Sequence, residues 1–352
     1  MNDDEPVLLH TAGRVLHITL NRPRALNALT HTMVRGIDEA LTRAAGDDDV
    51  TAVVIAGSGD RGLCAGGDIR SIYEDARAGR RASVDFWRDE YRLNARIAGF
   101  PKPYVALMDG IVMGGGVGIS AHGDVRVVTE RSRVAMPETG IGFVPDVGGT
   151  RLLAGAPGEL GTHLALTGRA VGAADAVLCG LADHFVPSHR LTELTAALSR
   201  CATPTEVTDT VRRFTTEAPE GELAGQRGWI DECYAADTVE EVIDRLLDSG
   251  LPAAKEAVTT LQTVSPTALK VTLAALRRAR HLTSLEAVLD QEFRVSCRAF
   301  DGPDLVEGVR ARIVDKDRNP RWSPAEPGDV TPADVARYFE PLGDQELGLS
   351  AH

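Results

Sequence analysis

The chain has 352 residues, 43% hydrophobic and 25% charged, with a formal net charge of -13. That length suits one large domain, or a domain of about 200 residues with a smaller companion, in an ordinary globular composition. The negative balance argues against charge-driven binding of nucleic acid or of an anionic membrane, although a local basic pocket for a small anion stays open.

The elements follow in chain order. VLHITLNRP alternates like a strand and stops at Asn21-Arg22-Pro23. LTHTMVRGIDEALTRAAGDDD then places Met33, Ile37, Leu41 and Ala44 at helical spacing behind a threonine cap. VTAVVIAG and KPYVALMDG read as buried strands. Alternating strands and helices predict an α/β fold of right-handed βαβ units with a largely parallel sheet. After about residue 190 helical patterns take over, over Val239–Leu247, Pro252–Val264, Pro266–Arg280 and Leu285–Phe300, and Thr331 with Pro332 starts a short helix in the tail. This reading divides the chain into a core over residues 1–195 and a helical region over 196–352. Cys64, Cys179, Cys201, Cys233 and Cys297 are odd in number and widely spaced, without a C-x-x-C pair, which predicts reduced thiols. The N-terminal MNDDEPVLLHTAG is acidic where a targeting peptide is basic, and no apolar run reaches the roughly 18 residues of a membrane span. A cytoplasmic protein without membrane segments is expected.

Three glycine-rich stretches need weighing. GSGDRG, Gly57 to Gly62, fits G-x-G-x-x-G, but LCAGGDI follows it where a dinucleotide site needs an amphipathic helix. CAGGD (Cys64 to Asp68) and MGGGVG (Met113 to Gly118) each follow a predicted strand. Each alone reads as a tight turn. As a pair they read as two strand ends whose N–H groups meet one acyl oxygen, an oxyanion hole, the second at a helix start. Next comes MPETGIGFVPDVGGT, with Glu138 and Asp146 in an apolar run without a basic residue. Such acids are solvated, paired at a distance, or kept for chemistry. Pro145, Gly140 and Gly142 disfavour a continuous helix, and a folded-back loop could bring both acids to one site. Glu90, in SVDFWRDEYRLNARI, sits among Arg88, Asp89 and Arg92 and reads as surface, while His122 reads as a hydrogen-bonded histidine. No metal-binding or G-x-S-x-G pattern is present, so no metal is expected.

With these motifs in view, the sequence resembles the crotonase superfamily, the enoyl-CoA hydratase/isomerase family. RPRALNALT, CAGGDI, KPYVALMDGIVMGGGVGISAHGDVRV, MPETGIGFVPDVGG and EGVRARIVDKDRNPRW resemble in particular its 3-hydroxyisobutyryl-CoA hydrolase subgroup, from about residue 7 through the tail helix. The resemblance implies a crotonase-like ββα spiral core followed by a C-terminal helical region, and an acyl-CoA whose thioester oxygen meets the N–H groups of Gly67 and Gly115. Of the two glutamates of the hydratases, the first falls at Gly118 and only the second, Glu138, is kept. The subgroup pairs that glutamate with an acid at Asp146 and places Glu90 near the substrate. The implied activity is hydrolysis of 3-hydroxyisobutyryl-CoA in valine degradation, with Glu138 as nucleophile or base and Asp146 orienting water, leaving group or the substrate hydroxyl. Arg24 and Ala25, with Ala65, Gly66, Asp68, Ile69 and Gly114, would grip the CoA arm, and Lys316, Arg318 and Arg321 are further phosphate contacts. No cofactor is implied beyond the CoA carried in by the substrate, and a homo-oligomer is expected. A hydratase or isomerase of the same fold and a non-catalytic acyl-CoA-binding protein are the alternatives.

Overall fold

The structure is a computed structural model that describes residues 5–350. Met1 to Asp4 of the acidic N-terminal stretch lie outside the described residues. The chain forms two compact units, each assembled from three segments. One holds the residues up to Gly67 with Arg92–Ala135 and Val171–Gly221, and the other holds Asp68–Tyr91, Met136–Ala170 and Glu222 onward. The units therefore interleave along the chain and do not meet at one point near residue 195, because segments after two of the strands depart into the second unit and return.

The first unit carries β1 (Val7–Ala12), β2 (Val15–Leu20), β3 (Ala52–Gly57), β4 (Gly62–Cys64), β5 (Tyr104–Met108), β6 (Ile111–Met113), β7 (Val125–Val128), β8 (Arg133–Ala135) and β9 (His184–Phe185). A six-stranded sheet runs β1-β2-β3-β5-β7-β9, antiparallel only between β1 and β2. A smaller sheet runs β4-β6-β8, all parallel. The helix His31–Gly46 starts where the sequence predicts, the Thr30 hydroxyl accepting from the Met33 N–H and Met33, Ile37, Leu41 and Ala44 facing inward. Valines of β2, β3, β5 and β7 pack with Leu194, Leu198, Val207, Val211 and Phe214, burying one apolar face of the larger sheet.

The second unit is built of helices. Val239–Asp248, Pro266–Ala279 and Leu285–Asp301 are each capped at the start by a hydroxyl, from Thr238, Ser265 and Ser284. Thr331 and Asp334 form a reciprocal capping box at Pro332–Arg337. Val144, Val271, Ala275, Val295 and Phe339 form a core of this unit. No strand follows β9 among the described residues, and no helix among them is long and apolar enough to cross a membrane. All five cysteines are buried, outside any disulfide.

Candidate active site

The glycine clusters meet because of strand order. β4 and β6 are parallel neighbours, so CAGGD and MGGGVG leave the same edge of the smaller sheet. Gly66 has φ +105°, and a Cβ there would stand 3.3 Å from the Met113 carbonyl oxygen and 3.7 Å from the Gly115 nitrogen. Gly114 holds φ 50° and ψ -120°, a conformation open only to glycine, and Gly115 begins the short helix Gly115–Gly118. The Gly67 and Gly115 N–H groups donate to no backbone carbonyl among the described residues, as two free donors for an oxyanion require. GSGDRG runs from β3 into β4, a strand-to-strand connection without the helix that a dinucleotide fingerprint opens.

The RPRALN segment is fastened to the first cluster. Leu29 donates to the Gly66 carbonyl at 2.8 Å and Ala65 donates to the Leu26 carbonyl at 3.0 Å. Leu26 and Asn27 are both left-handed, and the Asn27 side-chain amide donates to the Ser58 and Gly62 carbonyls at 3.0 Å each. This turn leaves Arg24 and Ala25 exposed.

The acids lie in the second unit. Glu138 opens a short 3-10 helix, Glu138–Ile141, closed by Gly142 at φ 71°. The chain then folds back through Val147 at φ 53° and Gly148 at φ 80° into the helix Gly149–Ala154. A left-handed valine is a strained β-branched residue, and it directly follows Asp146. Glu90, Glu138 and Asp146 are buried, at 2%, 7% and 5% exposure.

Glu90 corrects the surface reading of its helix. Within that helix, Ala82–Ala98, Trp87 stacks on Phe143 at 5.3 Å and meets Phe300 edge-on at 5.7 Å. Arg88 is committed to the Glu346 and Gln345 carbonyls and to the Phe293 ring. Arg88 is thus satisfied by the tail while Arg92 stays exposed, and Glu90 between them faces inward.

The electrostatics tie the acids together. The Tyr91 hydroxyl donates to Asp146 Oδ2 at 2.7 Å. Burial pushes the Asp146 carboxyl up to about 7, with that hydrogen bond pulling it back down. Glu138 rises well above the ordinary carboxylate range through burial first and then the neighbouring Asp146 charge. Glu90 rises for the same two reasons, in the same order. Glu90 Oε1 and Glu138 Oε2 are buried without a hydrogen-bond partner. Acids raised in this way share protons as a set, and Glu90 and Glu138 have acceptor capacity to spare for a ligand or water.

Sequence reasoning gave no role to Tyr91, Glu292 or Ser296. Glu292 accepts from the Gly148 N–H at 2.6 Å, the Thr150 N–H at 2.9 Å and the Thr150 hydroxyl at 2.5 Å, clamping the turn after Asp146. Burial raises its carboxyl to about 8 despite these donors. Its signal was an acid within the inward stripe Leu285, Val288, Leu289, Glu292, Val295 and Ser296.

The remaining predicted residues are spread more widely. Asp68 precedes the helix Ile69–Arg77 as its N-cap residue, in the second unit. Lys316, Arg318 and Arg321 are exposed, the first two left-handed at φ 59° and 54°. Neighbouring Arg310 is taken up by Glu307, Asp315 and Asp317. Arg312 lies against Gly140, where a Cβ would meet its guanidinium at 2.9 Å. His122 is half-buried, and Gly118 is the buried last residue of its short helix.

The enoyl-CoA hydratase/isomerase family model matches residues 15–339. The 3-hydroxyisobutyryl-CoA hydrolase, mitochondrial, of Rattus norvegicus is 42% identical over 348 residues, covering 97% of this chain and 90% of that one. A solved carnitinyl-CoA dehydratase from Mycobacterium thermoresistibile superposes with a TM-score of 0.94 at 51% identity, covering 99% of this chain and 100% of its own. A solved enoyl-CoA hydratase from Rhodobacter sphaeroides reaches 0.91 at 46% identity, covering 97% of this chain and 99% of its own. Paired glycine clusters on one sheet edge, a buried acid-bearing loop and likeness along nearly the whole length agree: the chain belongs to the enoyl-CoA hydratase/isomerase family, the crotonase superfamily.

Proposed function

We propose that the protein hydrolyses an acyl-CoA thioester, converting 3-hydroxyisobutyryl-CoA and water into 3-hydroxyisobutyrate and free CoA, a step of valine degradation. The observation that carries this reading is the buried set of Glu138, Asp146 and Glu90, in which Glu138 keeps an unbonded carboxylate oxygen and Asp146 is held by Tyr91. Hydration of an enoyl group calls for acids on both sides of the acyl chain, and Gly118 offers none at the first of those positions. The rat relative named above is a hydrolase, while the hydratase and dehydratase names of the two solved structures define the alternative.

In the proposed reaction the thioester oxygen sits on the Gly67 and Gly115 N–H groups, each stabilising the developing oxyanion by roughly 3 to 4 kcal/mol. A proton passing from Glu138 to Asp146 leaves Glu138 ionised without adding charge to the buried set. Glu138 then either attacks the carbonyl carbon, forming a mixed anhydride as the C–S bond breaks, which water opens to release the acid and restore Glu138, or takes a proton from the water that attacks as the same C–S bond breaks. The protonated Asp146 is positioned in this scheme to return its proton to the departing thiolate. In the alternative role Asp146 receives the substrate hydroxyl together with Glu90; the RPRALN turn, Ala65 to Ile69 and Gly114 hold the CoA arm. Arg24, Lys316, Arg318 and Arg321 supply cations for its phosphates. No cofactor enters, so turnover should persist in a chelator.

The deciding experiment follows free thiol and enoyl absorbance with 3-hydroxyisobutyryl-CoA and with crotonyl-CoA. Thiol release from the first substrate alone supports the hydrolase. Loss of enoyl absorbance without thiol release establishes a hydratase, and binding without turnover establishes a carrier. A cytoplasmic location belongs to the same reading, which five buried cysteines outside any disulfide support; the rat relative is mitochondrial by name, so fractionation of the native source tests it. Light scattering tests the expected oligomer.

A further inference from the structure

Asp146 is gripped from one side by groups outside the motifs that define the family. Tyr91, fully buried near the middle of its helix, donates its hydroxyl hydrogen to Asp146 Oδ2 at 2.7 Å. Since that hydrogen is committed to the carboxylate, the Ser296 hydroxyl, 2.7 Å from the Tyr91 oxygen and fully buried, donates to the tyrosine. The tyrosine ring is held edge-on to Phe293 at 6.1 Å and 84°. Phe293 and Ser296 are three apart on Leu285–Asp301, so one face of one helix supplies both the ring contact and the hydroxyl. Two hydroxyls in series, backed by packed aromatic rings, hold one carboxylate oxygen in a fixed place. They hold Oδ2, and the backbone N–H of Asp146 bonds the same carboxylate, so its orientation is set by two donors.

We infer that Tyr91, backed by Ser296, is a positioning residue for Asp146: it fixes which carboxylate oxygen faces the reacting group and keeps the ionised form of Asp146 within reach in a buried site. This rests on the proposed role of Asp146 in hydrolysis. Without the hydroxyl donor the carboxylate keeps only its own backbone hydrogen bond, so its orientation is less fixed and its charge is favoured less. Tyr91→Phe removes only an oxygen atom from a packed ring, so the fold and the apolar contacts stay.

The test joins kinetics with a readout that does not need turnover. Tyr91→Phe should lower kcat about ten- to a hundred-fold with KM within about three-fold, and Ser296→Ala should act in the same direction to a smaller extent. In the double variant Tyr91→Phe with Asp146→Asn, the tyrosine change should add almost nothing, because it acts through Asp146. Separately, the side-chain carboxyl carbons of labelled aspartate are titrated by NMR, the Asp146 signal being the one lost in Asp146→Asn. Its midpoint should rise by about one unit in Tyr91→Phe, the equivalent of one charge-assisted hydrogen bond. A midpoint that does not move overturns the inference whatever the activity, as do two losses that multiply in the double variant or a kcat that stays at the parent value. If the parent releases no thiol, the hydrolase reading has failed by itself; the kinetic arm is then read on hydration of crotonyl-CoA, and the titration still decides.

Discussion

Replacing Asp146 by Asn should make the protein more stable, and increasingly so as the pH rises from 5 to 8. The folded carboxyl titrates at about 7 against an ordinary 3.8. Between those values the folded state holds a proton that the unfolded state has released, so stability falls as pH rises through this window. With about 1.36 kcal/mol per unit, a rise of about three units removes about 4 kcal/mol by pH 8, but less than half of that by pH 5. Glu138 and Glu90 share the buried charge with Asp146, so removing one acid recovers part of this, about 1 to 3 kcal/mol at pH 8. An asparagine in that place still accepts from Tyr91 and never ionises. With an unfolding entropy near 2.1 cal/mol/K per residue over 352 residues, the gain corresponds to a melting temperature about 1 to 4 °C higher at pH 8 and a much smaller gap at pH 5. The Asp146 charge also helps to raise the Glu292 carboxyl, so its loss relaxes Glu292 and shifts the gap in the same direction. Scanning calorimetry of both proteins from pH 5 to 8 measures the gap. A gap that is constant with pH, or widest at pH 5, refutes the account of Asp146 as a carboxyl raised by burial. A stability gain joined to lost turnover is the usual balance at a site that buries charge for chemistry.

Glu138→Gln should abolish nearly all hydrolysis while acyl-CoA binding stays within a few fold; a tenth of the parent rate would remove Glu138 from the reaction, and heavy-oxygen label found in Glu138 after a single turnover in labelled water would identify it as the nucleophile. Gly115→Val should fold and bind CoA but lose turnover, since a side chain there displaces the thioester oxygen from the amide; a fully active variant would reduce the second glycine cluster to a turn. If Asp146 recognises the 3-hydroxyl group, Asp146→Asn should lower the kcat/KM preference for 3-hydroxyisobutyryl-CoA over isobutyryl-CoA by roughly ten- to a hundred-fold, and an unchanged ratio would assign it to water or leaving-group handling instead. Glu292→Ala strips the acceptor from the Gly148 and Thr150 N–H groups and the Thr150 hydroxyl, so it should destabilise the protein by about 3 kcal/mol or more, measured by denaturant unfolding; a loss below about 1 kcal/mol would mean that the turn after Asp146 holds itself.

What could be read from the sequence is what local chemistry decides. The helix behind Thr30 and those starting at Val239, Pro266 and Leu285 form where hydroxyl caps and 3.6-residue periodicity place them. The bend between Glu138 and Asp146 follows from Pro145, Gly140 and Gly142, since these residues break a helix whatever surrounds them. The glycine clusters were visible as a pair, but their meeting depends on β4 lying beside β6 in one parallel sheet, a non-local pairing that no window of sequence contains. Burial is non-local in the same way. Glu90 looked solvated beside Arg88 and Arg92 until the tail residues Gln345 and Glu346 took up Arg88 and aromatic rings covered the helix. Glu292 and Ser296 come to Asp146 from about 150 residues away along the chain, so only the folded packing decides that they serve it. A carboxylate's reactivity depends on how much water and which donors surround it, and those surroundings are made of residues from elsewhere in the chain.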